Sequence, residues 1–175
     1  MTIFYTGIGS RSTPPLIQVS MMVQAKSCAL RNFVLRSGGA AGADTAFENG
    51  ADRKEIYIPW AGFNGPSSPS MSRIVSGDHA EARAIAKQFH PAWDQCSEGA
   101  KKLHTRNVHQ VLGRDLIEPS AFVICWTPNG SSKGGTGQAL RIARHWTIPI
   151  FDLGHPHINL KTLDTLIESL TEDAA

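Results

Sequence analysis

Short, unbroken apolar runs alternate along this chain with longer stretches of helical periodicity, and that alternation narrows the possible folds more than any other feature. Residues 3–8 form the first run, closed by Gly9, and its length and flanks suit a buried strand. Residues 33–36, 55–60, 121–126 and 148–152 repeat the pattern, with 121–126 the clearest. Between them the spacing predicts helices over 14–30, 44–50, 79–89, 97–113, 137–146 and 160–170. In the first helix, Leu16, Val19, Met22, Val23 and Cys28 make the stripe expected to face the core. Leu103, Val108, Val111 and Leu112 do the same for 97–113. Residues 62–69, dominated by proline, glycine and serine, read as a surface loop. Strands that are apolar throughout need cover on both faces, and strand–helix alternation makes their sheet parallel. The expected architecture is an α/β sandwich of three layers around a mainly parallel sheet of five or more strands. With 175 residues and no repeat, linker or low-complexity tract, the chain reads as a single domain over 1–175.

Composition narrows the function. The formal net charge is only +2, and Arg53-Lys54 and Lys101-Lys102 are the adjacent basic pairs. A dedicated DNA-binding face shows as a clustered basic stripe, which this sequence does not have. No apolar run is long enough to span a membrane. Residues 1–9 lead straight into a strand, without the charged start and long apolar core of a signal peptide, so no such leader is expected. Cys28, Cys96 and Cys125 are odd in number, far apart and outside any CxxC pair. That argues against a disulfide framework or a structural zinc site and for a reducing, cytoplasmic compartment. Cys125 falls inside an apolar strand and reads as core. His155 and His157 flank Pro156 without the spacing of metal ligands, and no metal site is expected.

Three loops fall where predicted strands end: 7–12 (GIGSRS), 37–44 (SGGAAGAD) and 129–137 (NGSSKGGTG). In an open parallel sheet, ligands bind outside the carboxyl ends of the strands, where the strand order reverses. Glycine lets the backbone approach a phosphate and adopt positive φ, while helix N-terminal amides supply donors. One such loop alone can be merely a tight turn. Three of them converging on one edge point to a ligand site, and a phosphate-bearing ligand suits it.

The stretches GIGSRSTPP, RSGGAAGADTAFENGA and GGTGQALRIA resemble those of the SLOG superfamily of Rossmann-like proteins. That group includes the Lonely Guy phosphoribohydrolases and the DNA-processing protein A recombination mediators. The likeness covers residues 3 to about 153, and IPWAGFNG and RNVHQVLGRDL are similar to phage-encoded members. It implies a Rossmann-like sandwich in which Gly9, Ser10 and Arg11, with Gly134, Gly135, Thr136 and Gly137, contact a nucleotide's phosphate and sugar. Ser37, Gly38, Gly39 and Asp44 would lie beside the ligand, with Asp44 accepting from ribose hydroxyls. Related hydrolases carry an arginine on a helix near the site, which makes Arg106 and Asn107 candidates for phosphate or base contacts. Trp126, with Trp60 and Phe63 near other strand ends, could stack on a base. Each of these residues has a plainer alternative. Arg11 suits a solvated loop, Thr136 an N-cap, and Asp44 a first helical turn where it stabilises the dipole. Arg106 and Asn107 suit a polar helix face in water, and Trp126 suits the core.

The sequence departs from the hydrolase pattern at one important place. Lonely Guy-type enzymes use a GGxGTxxE glutamate at the N-glycosidic bond, and Ala139 occupies that position here. Alanine can neither transfer a proton nor stabilise an oxocarbenium-like sugar. Asp44 and Glu48, four apart on one helical face, could substitute as the catalytic carboxylates, while Glu48 equally suits a solvated surface. The expected function is binding of a nucleotide or nucleotide-derived phosphate ligand, leading to glycosidic cleavage or transfer, or to sensing or sequestration. The alternative is a single-stranded DNA-binding recombination mediator, which needs an extended basic groove with stacking aromatics. Scattered basic residues and the lack of a winged-helix or SAM-like segment favour the small ligand. No cofactor is required by any motif, although a phosphate ligand could bring magnesium. Analogy of shape implies a homo-oligomer.

Overall fold

The structure is a computed structural model that describes residues 2–65, 72–131 and 133–173. Six strands, all paired in parallel, form one sheet in the order β4-β3-β2-β1-β5-β6. They are β1 (Phe4–Gly9), β2 (Val34–Ser37), β3 (Lys54–Ile58), β4 (Arg73–Val75), β5 (Phe122–Trp126) and β6 (Ile150–Asp152). Six helices join them: α1 (Pro15–Leu30), α2 (Ala43–Gly50), α3 (Ala80–Gln88), α4 (Glu98–Leu112), α5 (Gly134–His145) and α6 (Leu160–Asp173). The chain builds outward from β1 to β4, then returns to place β5 on β1's other side, with Gly9 opposite Trp126. The strand order therefore reverses between β1 and β5.

The side-chain alternation of β5 shows how the sheet is covered. Phe122 and Ile124 join a core with Met21, Ala25 and Cys28 of α1, Phe47 of α2 and Leu163 and Ile167 of α6. Val123 and Cys125 point the other way, into a core with Ala82 and Ala86 of α3, Val108 and Val111 of α4 and Leu140 and Ile142 of α5. Successive residues of a strand face opposite sides, so each core is one interlayer space of an α/β, Rossmann-like three-layer sandwich. The expected helix 97–113 and its apolar members match α4, and Cys125 is core as read.

Three expectations need correction. The helix α1 does not bury the predicted stripe: Leu16 is 82% exposed, and Val19, Met22 and Val23 are exposed as well. Of the stripe Cys28 alone is buried, and it faces inward with Met21 and Ala25. Both sets have helical spacing, and the choice falls to the set with small residues because α2 packs close, its Gly50 lying against the Met22 carbonyl. Second, α5 starts at Gly134, three residues before the predicted position, so the glycines at 134, 135 and 137 are helix rather than loop. Third, β4 carries too few residues for a legible period, and its pairing with Ile56–Ile58 of β3 is what makes it a strand. Of the expected loop 62–69, residues 66–69 lie outside the described residues.

Candidate ligand-binding site

A cavity of about 750 Å³ sits at the carboxyl ends of β1 and β5, where the strand order reverses. Its wall from β1 is Gly9, Ser10 and Arg11. The turn is rigid because the Ser10 carbonyl accepts from the backbone amides of Thr13 and Ala43 and from the Thr13 hydroxyl at 2.7 Å. Facing it, α5 contributes Gly134, Gly135 and Thr136, preceded by Lys133. The N-cap of α5 is Lys133, which makes no side-chain cap, and the first turn holds no acidic residue. The first amides of a helix have no partner within it, so α5 presents N–H groups that no side chain caps among the described residues, and the positive end of its dipole. Thr136 lies inside this first turn, so it is not the N-cap.

The floor comes from α4. Its buried polar side chains, Arg106 at 5% exposure, Asn107 at 6% and Gln110 at 2%, are not a solvated helix face. Arg106 occupies a slot left by Gly38, where a Cβ would stand 1.4 Å from the Arg106 Nη1. Its only ion pair among the described residues is with Asp44, Nη1 to Oδ2 at 3.5 Å. Asp44 also accepts from the Ala40 amide at 3.2 Å. Burial pushes the Asp44 carboxyl up, against the charge of Arg106 and the backbone hydrogen bonds that pull it down. Burial pushes Arg106 down, with Asp44 opposing, and an arginine stays charged at neutral pH regardless. Two donors are left over: the Nε of Arg106 and the Nε2 of Gln110 are buried without a hydrogen-bond partner among the described residues. Buried polar atoms in folded proteins are rarely left so.

The cavity is therefore electropositive. Arg11 and Lys133, both exposed, make no salt bridge among the described residues, Arg106 lies below them, and Asp44 is the one carboxylate among the lining residues. Trp126 lines one side and Leu103 and Ala139 another.

Of the residues singled out from sequence, Gly9, Ser10, Arg11, Asp44, Arg106, Asn107, Trp126, Gly134, Gly135 and Thr136 come together here. Others do not line the cavity. Ser37 is buried and donates to the Gly7 carbonyl at 2.7 Å, Gly38 makes room for Arg106, and Gly137 is buried in α5. Gly39 follows β2 with φ +63 and its carbonyl accepts from Asn64. Residues 37–39 of the middle glycine loop thus shape the site from behind, packed against β3 and α4, while Ala40 and Asp44 of the same loop line the cavity. The Asp44–Glu48 pair does not converge either: Glu48 lies off the cavity, within 3.7 Å of Arg73. Trp60 and Phe63 pack edge to face on each other instead of lining the cavity. Asn107 lines the cavity, but its amide donates to the Gly135 carbonyl at 3.1 Å and to Gln138 Oε1 at 3.0 Å, pinning α5 to α4.

Sequence reasoning missed Gln110, His104, Lys133 and Thr127. The i,i+4 spacing of Arg106 and Gln110 was a usable signal, as was a lysine within a glycine-rich loop. Nothing local marked His104 or Thr127.

No family model and no curated protein matches the chain. Among solved structures, DNA processing protein A from Helicobacter pylori, described as binding single-stranded DNA, superposes with a TM-score of 0.54. The match is at 16% identity over 98% of this chain and 81% of that one. The chain shares the fold of DNA processing protein A. The Moco carrier protein of Chlamydomonas rheinhardtii has the same fold, with a TM-score of 0.52 at 16% identity over 97% of this chain and 84% of that one. The fold shared with both is the Rossmann-like sandwich expected from the sequence. No helix among the described residues is long and apolar enough to cross a membrane.

Proposed function

We propose that the cavity binds a nucleotide or a nucleotide-derived phosphate ligand. The observation that carries this reading is the pair of buried donors on its floor, Arg106 Nε and Gln110 Nε2, that have no partner among the described residues, beneath the N-terminus of α5. Donors on both sides, with Arg11 and Lys133 at the rim unpaired among the described residues, suit an anion with several acceptor oxygens. The phosphate lies between Ser10–Arg11 and Gly134–Thr136, and Trp126 offers its ring to the base. A magnesium ion could accompany the phosphate. The free cysteines fit a cytoplasmic protein, and the exposed stripe of α1 fits a homo-oligomer.

The reading favours holding the ligand over cleaving it. Ala139 lines the cavity where a Lonely Guy-type glutamate would act, and Asp44 is already engaged by Arg106. If glycosidic transfer occurs, Asp44 is the carboxylate placed to assist it, without Glu48. The second reading, single-stranded DNA, rests on the fold shared with the Helicobacter protein.

A thermal-shift screen against nucleoside mono-, di- and triphosphates, NAD, ADP-ribose and a short single-stranded oligonucleotide separates these readings, because a ligand of the folded state raises Tm by mass action. A concentration-dependent shift with one nucleotide class is expected, abolished in Arg106→Ala, Arg11→Ala and Gly135→Asp. The last acts through charge, since a Cβ at Gly135 meets only Asn107 Nδ2, at 3.5 Å. A shift with the oligonucleotide alone, weakening steeply with salt, supports the DNA reading. Retained affinity in all three variants removes the site.

A further inference from the structure

The connection between α3 and α4 gathers three ligating side chains that no sequence spacing announced. His90 follows α3, Cys96 ends the 3-10 turn Trp93–Gln95, and His104 lies on α4. One ring nitrogen of each histidine and the Cys96 sulfur all lie within 4.8 Å of one another. We propose that these residues form a binding site for a zinc-class divalent metal ion, with its remaining coordination left to water or an exogenous donor.

The chemistry of the donors supports this. A thiolate with two imidazoles is a borderline-soft set that suits zinc. Tetrahedral zinc, with bonds of about 2.3 Å to sulfur and 2.0–2.1 Å to nitrogen, holds S and N ligands about 3.5 Å apart. Cys96 Sγ stands 3.8 Å from the nitrogens of His90, so that pair closes by a few tenths of an ångström, while His104 completes a set whose ligand atoms lie within 4.8 Å. All three side chains are half-buried, and the connection is anchored by Trp93, buried in the core beside Ala82, Ala86 and Val108.

The hydrogen bonds around His104 prepare it as a ligand. Gln138 is fully buried, and its Nε2 donates to the carbonyls of Ala86 and His104 at 3.3 and 3.4 Å. Its Oε1 is thus the acceptor, 3.2 Å from His104 Nδ1. Nδ1 must carry the proton, which leaves the lone pair on Nε2. An outer partner that fixes the tautomer in this way is usual for a metal-bound histidine. His90 has one local contact to exchange, since its Nδ1 accepts from the Ala92 amide at 3.2 Å. The same Gln138 receives Asn107, which holds the first turn of α5, and His104 lines the cavity. The metal site and the cavity therefore share a wall, although the metal proposal stands on the three ligands alone.

The test uses tag-free full-length protein and cobalt(II) as a probe. Wild type is expected to take up one cobalt per chain with a thiolate-to-cobalt charge-transfer band, and zinc displaces it. Cys96→Ser loses the band, Cys28→Ala and Cys125→Ala keep it, and His90→Ala and His104→Ala each weaken binding at least about tenfold. Alkylation read by peptide mass spectrometry needs no variant: zinc is expected to slow modification of Cys96 at least about tenfold, since thiolate ligation removes the nucleophile. No band in wild type, a band that survives in folded Cys96→Ser, or an alkylation rate that zinc leaves unchanged overturns the proposal.

Discussion

Arg36 and Arg106 are both buried by the three-layer sandwich, and the protein treats their charges in opposite ways. Arg36, on β2, is 1% exposed and fully engaged. Its Nε donates to Glu55 Oε2 at 2.9 Å, its Nη1 to the Glu118 carbonyl, and its guanidinium lies 3.7 Å from the centre of the Phe4 ring. The Tyr57 hydroxyl completes the cluster by donating to Glu55 at 2.8 Å. Arg106 has one carboxylate at 3.5 Å, the Phe63 ring at 5.8 Å and a buried Nε without a hydrogen-bond partner among the described residues. A buried charge with its hydrogen bonds filled serves the fold, because desolvation is offset within the protein. One left short beside an electropositive cavity is a group arranged for something that arrives from outside.

The comparison can be broken most forcefully at Gly38. A valine there drives its Cβ into Arg106 Nη1, so Gly38→Val is expected to lose about 3 kcal/mol in urea unfolding and all nucleotide-dependent thermal shift. Wild-type stability in that variant would mean that Arg106 is not wedged in its slot.

Next comes a matched pair. Arg36→Met removes a filled cluster whose carboxylates are part-exposed, and is expected to lower stability by about 2 kcal/mol while sparing ligand binding. Arg106→Met should change stability by less than about 1 kcal/mol, because buried Asp44 can take up a proton once its partner is gone. It should weaken ligand binding roughly a hundredfold, the worth of hydrogen bonds to a charged group, enough to remove the thermal shift as in Arg106→Ala. The reverse pattern, with Arg106 the greater contributor to stability, would erase the distinction.

Titration sharpens the Arg106 side. Burial holds the Asp44 pKa above its ordinary 3.8, and Arg106 is the leading influence pulling it down. In Arg106→Met, carboxyl NMR should find Asp44 titrating at still higher pH. Because the folded value is the raised one, the stability linked to Asp44 is full below 3.8 and declines as pH rises through the folded value. That window should widen in the variant, and an unmoved midpoint would show the 3.5 Å pair to be electrostatically idle.

The smallest effect lies at His109, behind the α4 floor. Burial holds its pKa below 6.5, with Nδ1 donating to the Gly113 carbonyl at 3.0 Å and the ring stacked on Tyr57. Its contribution to stability is present above 6.5 and is lost as pH falls through the lower folded value. His109→Phe should flatten that acid limb in Tm-against-pH curves and leave the cavity's ligand response alone. An unchanged limb would assign the slope to another group.

The amino-acid sequence by itself determined five of the six strands, most helix bounds and the placing of glycine-rich turns at strand ends. These depend on side-chain alternation, helical spacing and the stereochemistry of glycine and proline, all properties of neighbouring residues. Only the tertiary structure decided which face of α1 is buried, because Leu16–Val23 and Met21–Cys28 both satisfy helical spacing and close packing by α2 selects between them. It also decided that residues 37–39 support the cavity from behind while Asp44 enters it, and that His90, Cys96 and His104 meet. Asp44 and Arg106 are 62 residues apart, and nothing local to either says that one will face the other. Their pairing exists because α2 and α4 cover opposite faces of the sheet and reach past its carboxyl edge together, a relation that packing sets and periodicity does not carry.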